Sequence, residues 1–93
     1  MVVGVLTLRL VFRESHSLKD KRRFVRSIKD RVRNDFNVSV SEVGEQDHLQ
    51  LAELAFAMVG TDRAYVEGAL AQVRNKARGF PPAEISAASV EYF

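Results

Sequence analysis

Leu18, Val25, Ile28, Val32 and Phe36 fall on one stripe when the segment from Ser17 to Phe36 is wound at about 100° per residue. A helix with one apolar face needs a second layer to cover that face. Ser17 is a good N-cap, Asp20 puts an acid in the first turn, and the helix is expected to end near residues 35–37.

The second layer is written in period two. Val2 to Phe12 alternates, with Leu6, Leu8, Leu10 and Phe12 on one side and Val5, Thr7, Arg9 and Val11 on the other. Residues 38–43 form a short β-rich segment and 44–48 a polar turn. Residues 49–59 alternate again, with Leu54, Phe56 and Met58 on one side, until Gly60 breaks the run. Thr61 or Asp62 can cap a second helix over residues 63–78, in which Val66, Leu70, Val73 and Ala77 keep helical spacing. Gly79 suits its end, Pro81 and Pro82 prevent its continuation, and residues 85–93 read as a last strand.

The order is therefore β-α-β-β-α-β. Right-handed crossovers put both helices on one face of an antiparallel sheet, an α+β ferredoxin-like split βαβ sandwich. Ninety-three residues fit one such domain, spanning residues 1–93. The opposite sheet face stays open, and Val5, Thr7, Arg9, Val11, Leu51, Glu53, Ala55 and Ala57 are assigned to it. That face is apolar enough to serve as the interface of a homodimer or of another protein contact.

Composition narrows the chemistry. With no cysteine there is no disulfide framework, no thiolate metal site and no cysteine nucleophile, which fits a reducing cytoplasm. The longest apolar stretch, residues 2–12, is interrupted by Arg9, is too short to span a membrane and lacks signal-peptide features. His16 and His48 stand in different turns without a ligand at metal spacing, so no metal and no cofactor are expected. Glu42, Glu45, Asp47 and Glu53 gather around the hairpin and read as a solvated turn. No glycine-rich phosphate loop, nucleophile elbow or dinucleotide fingerprint occurs, and no enzyme is expected. Gly4, inside a strand, marks the close approach of another element.

Charge is sorted along the chain. Residues 1–36 carry ten basic and four acidic side chains, net +6, whereas residues 37–93 carry four and eight, net −4. Within the first half, Lys19, Arg22, Arg26, Lys29 and Arg33 recur at helical spacing on one flank of the first helix, a row about 21 Å long with no acid inside it. Such a row can neutralise a run of phosphates. Lys21 falls near the apolar stripe in the first turn and is expected to snorkel outward and assist there. Arg23 and Arg31 lie round the back among Asp20, Asp30 and Asn34 and read as solvated. The crowd of cations at the helix start opposes the helix dipole, a tension that a bound anion relieves. No stretch matches the full Lys/Arg-Gly-aromatic-Gly/Ala-aromatic pattern of RNA readers on this fold, and the first and third strands put no aromatic on the open face. Nucleic-acid binding by this chain is therefore expected to be led by the helix and directed at the backbone.

The run Ser17-Leu18-Lys19-Asp20-Lys21-Arg22-Arg23, the strand Asn37-Val38-Ser39-Val40-Ser41-Glu42-Val43, and Gln46-Asp47 with Gln50 together resemble the YlxP-like family of small bacterial proteins of unknown function. Family members carry an aromatic two positions after the hairpin aspartate; this chain has Leu49 there, so no role of that aromatic carries over. The resemblance implies a ferredoxin-like fold. It also implies, through gene neighbourhoods shared with a translation initiation factor and a ribosome-binding factor, work in ribosome assembly or translation. It brings no catalytic residues, and of the basic row it transfers only Lys19, Lys21 and Arg22.

The functional expectation is thus a cytoplasmic protein that binds ribosomal RNA or a ribosomal particle through Lys19, Lys21, Arg22, Arg26, Lys29 and Arg33. The alternative is a protein-interaction module that uses the open sheet face without nucleic acid.

Overall fold

A computed structural model describes all residues from Met1 to Phe93. The order is β1 (Val2–Val11), α1 (Leu18–Asp35), β2 (Ser39–Gly44), β3 (Leu51–Gly60), α2 (Arg63–Arg78) and β4 (Glu84–Tyr92). The four strands form one sheet in the order β2-β3-β1-β4, and every neighbouring pair is antiparallel. This is the ferredoxin-like α+β arrangement that the periodicities demand. The long connection through α1 carries the chain past β3 to the far edge, so β1 and β3 share the centre of the sheet.

The β1–β3 register pairs Leu6 with Phe56, Leu8 with Leu54 and Leu10 with Ala52. Period-two alternation puts all six on the helix-covered side, where they are buried with Phe12 and Met58. α1 sets Val25, Ile28 and Val32 on this layer, and α2 sets Val66, Leu70, Val73 and Ala77. Each larger side chain removed from water here contributes on the order of 1.5–3 kcal/mol. Phe24 closes the β1 end of the core by stacking on Phe12, ring centroids 5.6 Å apart.

The helix ends show where local rules hold and where they yield. Ser17 Oγ accepts the Asp20 N–H at 3.0 Å, and Asp20 in turn accepts the His16 N–H at 3.1 Å, closing the first turn. Asp62 is the N-cap of α2 but makes no side-chain cap bond. Gly79 ends α2 at φ −78°, so its place there does not depend on a left-handed backbone. Phe36 caps α1 in an extended conformation rather than completing the helical stripe.

The largest departure from the sequence reading is Lys21. Its side chain does not snorkel; it is 2% exposed and occupies a position of the buried stripe with Val25, Ile28 and Val32. Its Nζ lies 2.9 Å from Glu42 Oε2 and also donates to the Glu45 carbonyl. Glu45 sits at φ 60° in the turn after β2, the one non-glycine residue with a positive φ. The lysine therefore clasps the start of α1 to the end of β2 and holds a turn that is unfavourable on its own.

Gly4 has the close approach expected of it. A Cβ there would stand 2.7 Å from Val66 Cγ1 and 2.9 Å from Leu70 Cδ1. Both neighbours are buried and cannot retreat into solvent.

Two stability measurements check these assignments. Lys21→Met leaves the Glu42 carboxylate without its cation, and chemical denaturation should show a loss of about 2 kcal/mol. That is below the full cost of breaking a buried pair because Glu42 keeps some solvent contact. Adding Glu42→Gln should restore part of that loss, and an additive double mutant would rule out the clasp. Gly4→Ala gains from reduced unfolded-state freedom but overpacks the α2 contact. A net destabilisation of about 1 kcal/mol should follow, whereas a stabilised Gly4→Ala protein would show that α2 moves freely away.

Candidate functional site: the basic flank of the first helix

α1 runs over the sheet beside β2, an edge strand. Burial of Val25, Ile28 and Val32 fixes the roll of the helix, and the neighbouring flank is thereby turned toward the β2 edge. Arg22, Arg26, Lys29 and Arg33 line a groove of about 370 Å³ along this edge, with Val25, Asp30 and Glu42 completing its walls. Four of the five row cations thus come together around one concavity. Lys19, the fifth, is exposed one turn before Arg22 and lies outside the groove.

Their bonding states differ. Lys19, Arg22, Arg26 and Lys29 make no ion pair and no side-chain hydrogen bond within the protein. Arg33 donates to the Val40 carbonyl at 3.3 Å, which fixes its guanidinium at the strand edge. Glu42 is the acid closest in kind to a neutralising partner, but its carboxylate is engaged by Lys21. Asp30 is exposed on the rim. The groove therefore keeps a surplus of positive charge that the protein itself does not satisfy.

Lys21 does not belong to that surface, since its ammonium faces inward and both its partners are internal. Arg23 and Arg31 are more than solvated. Arg23 stands 5.3 Å from the Phe24 ring centroid and 3.5 Å from Asp20, and Arg31 stands 4.8 Å from the ring centroid of Phe80. Neither points into the groove. Exposed aromatic side chains lie elsewhere: Tyr65 is on α2 and Phe93 follows β4. A chain of nucleotides in the groove would meet cations and no stacking platform.

Several of the residues that carry the family resemblance share a structural task with His48. Gln50 Nε2 donates to the carbonyls of Arg13 and Ser15 at 3.1 and 3.2 Å. His48 Nδ1 accepts the N–H groups of Gln50 and Leu51. Gln46 Nε2 donates to the Glu42 carbonyl at 3.2 Å. With the Ser17 cap and the Lys21 clasp, these bonds tie the β1–α1 loop to the β2–β3 hairpin. His16 and His48, far apart in sequence, consequently line one cavity of about 460 Å³ with Ser15, Asp47, Leu49 and Gln50. No group of three or more His, Cys, Asp or Glu residues is placed to hold a metal ion.

The open sheet face carries the residues assigned to it. Val5, Thr7, Val11, Leu51, Ala55 and Ala57 are half-buried by one another, and Val59 extends the face with 65% exposure. The face is not uniformly apolar, because Arg9 crosses it to reach Glu53 at 3.4 Å and Glu45 at 3.6 Å. At its β4 side Arg13 Nε donates to Glu84 at 2.8 Å. That hydrogen bond and the arginine's charge hold the Glu84 carboxyl below its ordinary range and raise the Arg13 guanidinium. No helix is long and apolar enough to cross a membrane.

Comparison with known proteins places the chain. The uncharacterised protein YlxP of Bacillus subtilis (strain 168) is 34% identical over 92 residues, covering 99% of this chain and 100% of its own length. Among solved structures, the de novo designed protein Foldit4 superposes with a TM-score of 0.55 at 17% identity, over 100% of this chain and 97% of its own. SnoaB, a cofactor-independent oxygenase from Streptomyces nogalater, superposes with a TM-score of 0.52 at 13% identity, over 99% of this chain and 90% of its own. At such identities these two show the fold alone. The family described as "Protein of unknown function (DUF503)" matches residues 3–90, and with the likeness to YlxP over nearly the full length, the chain belongs to this YlxP-like family.

Proposed function

We propose that this protein binds RNA by its phosphate backbone along the α1–β2 edge, as a cytoplasmic factor acting on ribosomal RNA or a ribosomal particle. The observation that carries the reading is the groove in which Arg22, Arg26, Lys29 and Arg33 converge against two acids, Asp30 and Glu42, of which Glu42 is held by Lys21. Cations left without partners along a helix flank are suited to displacing the counterions of a polyanion. A single unpaired arginine is an ordinary surface feature. Several in one row, set by a rigid helix, form a continuous track. The absence of an aromatic in the groove makes backbone contact the supported mode, with little readout of base sequence. The ribosomal setting rests on the gene neighbourhoods of the family.

Fluorescence anisotropy with a labelled, largely single-stranded ribosomal RNA fragment tests the reading. Five contacts, from Lys19 and the four groove cations, give a log–log salt slope of about −3.5, so affinity should fall roughly a hundredfold between about 50 and 200 mM salt. Replacing Arg22, Arg26 and Lys29 by Glu should abolish binding at low salt while the circular dichroism spectrum and melting temperature stay close to those of the parent. RNA affinity unchanged in this folded triple variant would overturn the proposal. It would move attention to the open sheet face as a protein-interaction surface, where a charge at Val5 or Ala55 should disrupt assembly.

A further inference from the structure

The two edges of the sheet are finished differently. Along β2, the carbonyls of Val40 and Glu42 receive hydrogen bonds from Arg33 and from Gln46, so side chains occupy that outer row. Along β4 no side chain donates to or accepts from the backbone of residues 87–92. β4 is also the longer edge, nine residues against six, and like β2 it contains no Lys, Arg or Pro. Basic side chains and proline are among the devices by which edge strands block pairing; the charges of β4 are Glu84 and Glu91, and its one irregularity is confined to Ser86.

The outward groups of β4 can be named. Val3 and Phe93 exchange both backbone bonds, Val3 N–H to the Phe93 carbonyl at 3.2 Å and Phe93 N–H to the Val3 carbonyl at 2.8 Å. In an antiparallel ladder such pairs alternate with pairs that do not bond to each other. Glu91, Ser89 and Ala87 therefore bond inward to β1, while Tyr92, Val90 and Ala88 direct their N–H and C=O groups to the free edge. The ladder shifts at Ser86, which ends this regular row.

We infer that β4 pairs with β4 of a second copy of this chain, antiparallel and across a two-fold axis at Val90. In this register Ala88 meets Tyr92, Val90 meets Val90 and Tyr92 meets Ala88. Those three pairs, with two bonds each, satisfy all six outward groups. A register moved by one residue about the axis in either direction keeps only two such pairs. One of these, centred on residue 91, also sets Glu91 against itself, whereas the register at Val90 sets Glu91 opposite Ser89. Charge and bond count thus select the same alignment. Val90, 43% exposed in a groove of about 340 Å³ that Leu6, Leu70 and Tyr92 line together with Arg63, Glu67 and Arg74 of α2, gains an apolar neighbour in its own copy. The axis closes after two copies, as an isologous contact must. The product is one eight-stranded sheet, β2-β3-β1-β4-β4-β1-β3-β2, with the basic grooves at its outer ends.

Sedimentation equilibrium from about 10 µM to about 1 mM, a range suited to a small interface, should show a reversible monomer–dimer equilibrium. Amide exchange should show Ala88, Val90 and Tyr92 gaining protection as concentration rises. Val90→Lys sets like charges on the axis and should raise the dissociation constant at least tenfold. Ala88→Pro removes an outward N–H without touching a bond to β1 and should do the same. Ala55→Lys, on the open face, should leave the dimer unchanged. A parent protein that is monomeric at about 1 mM would overturn the inference. So would a dimer that survives Val90→Lys but is lost in Ala55→Lys, or one whose three edge amides stay unprotected.

Discussion

The clasp of Lys21 on Glu42 and on the Glu45 carbonyl is the contact on which the candidate site depends. A lysine in the buried stripe of α1 is tolerable only because a carboxylate and a carbonyl meet its ammonium. That requirement ties the first turn of the helix to the end of β2, with the roll that burial of Val25, Ile28 and Val32 sets. Once Lys21 faces inward, Lys19 and Arg22, on the positions flanking it, are turned outward. Arg26, Lys29 and Arg33 follow at helical spacing. The same pair removes Glu42 from competition, so the groove it helps to line keeps its positive charge. One internal ion pair therefore does two things: it orders a strained turn and it leaves the cations beside it without a partner.

The family signature is best understood in the same terms. Ser17, Lys21, Gln46 and Gln50 carry much of the resemblance, and each spends its polar atoms within the junction of the β1–α1 loop and the β2–β3 hairpin. A motif rich in lysine and arginine invites a reading as a binding sequence. Here its parts divide between a scaffold that shapes one end of the domain and two solvent-facing cations, Lys19 and Arg22. Arg26, Lys29 and Arg33, which the resemblance does not transfer, contribute three of the four cations of the groove.

Much of the fold was legible because it rests on local periodicity. The alternation of Leu6, Leu8, Leu10 and Phe12 and the helical spacing of Val66, Leu70, Val73 and Ala77 each reflect burial of a single face, and the structure buries those residues. Helix α2 has the bounds expected of it. The strands around the hairpin were displaced, with β3 starting at Leu51 rather than residue 49, because His48 and Gln50 use their polar groups to build the loop. The Phe12–Phe24 stack and the Arg31–Phe80 contact follow from no single periodicity, because each joins two separate segments of the chain.

The sequence by itself determined the order of elements, the face each one buries and the existence of a cationic row, since all three follow from the geometry of a single helix or strand. Only the tertiary structure decided that Lys21 turns inward and does not assist the row, because its fate depends on Glu42 and Glu45, more than twenty residues away. It also decided that His16 and His48 share a cavity and that the β2 edge is covered by side chains while the β4 edge is bare. Those outcomes are set where separate elements meet, and no periodicity within one element encodes them.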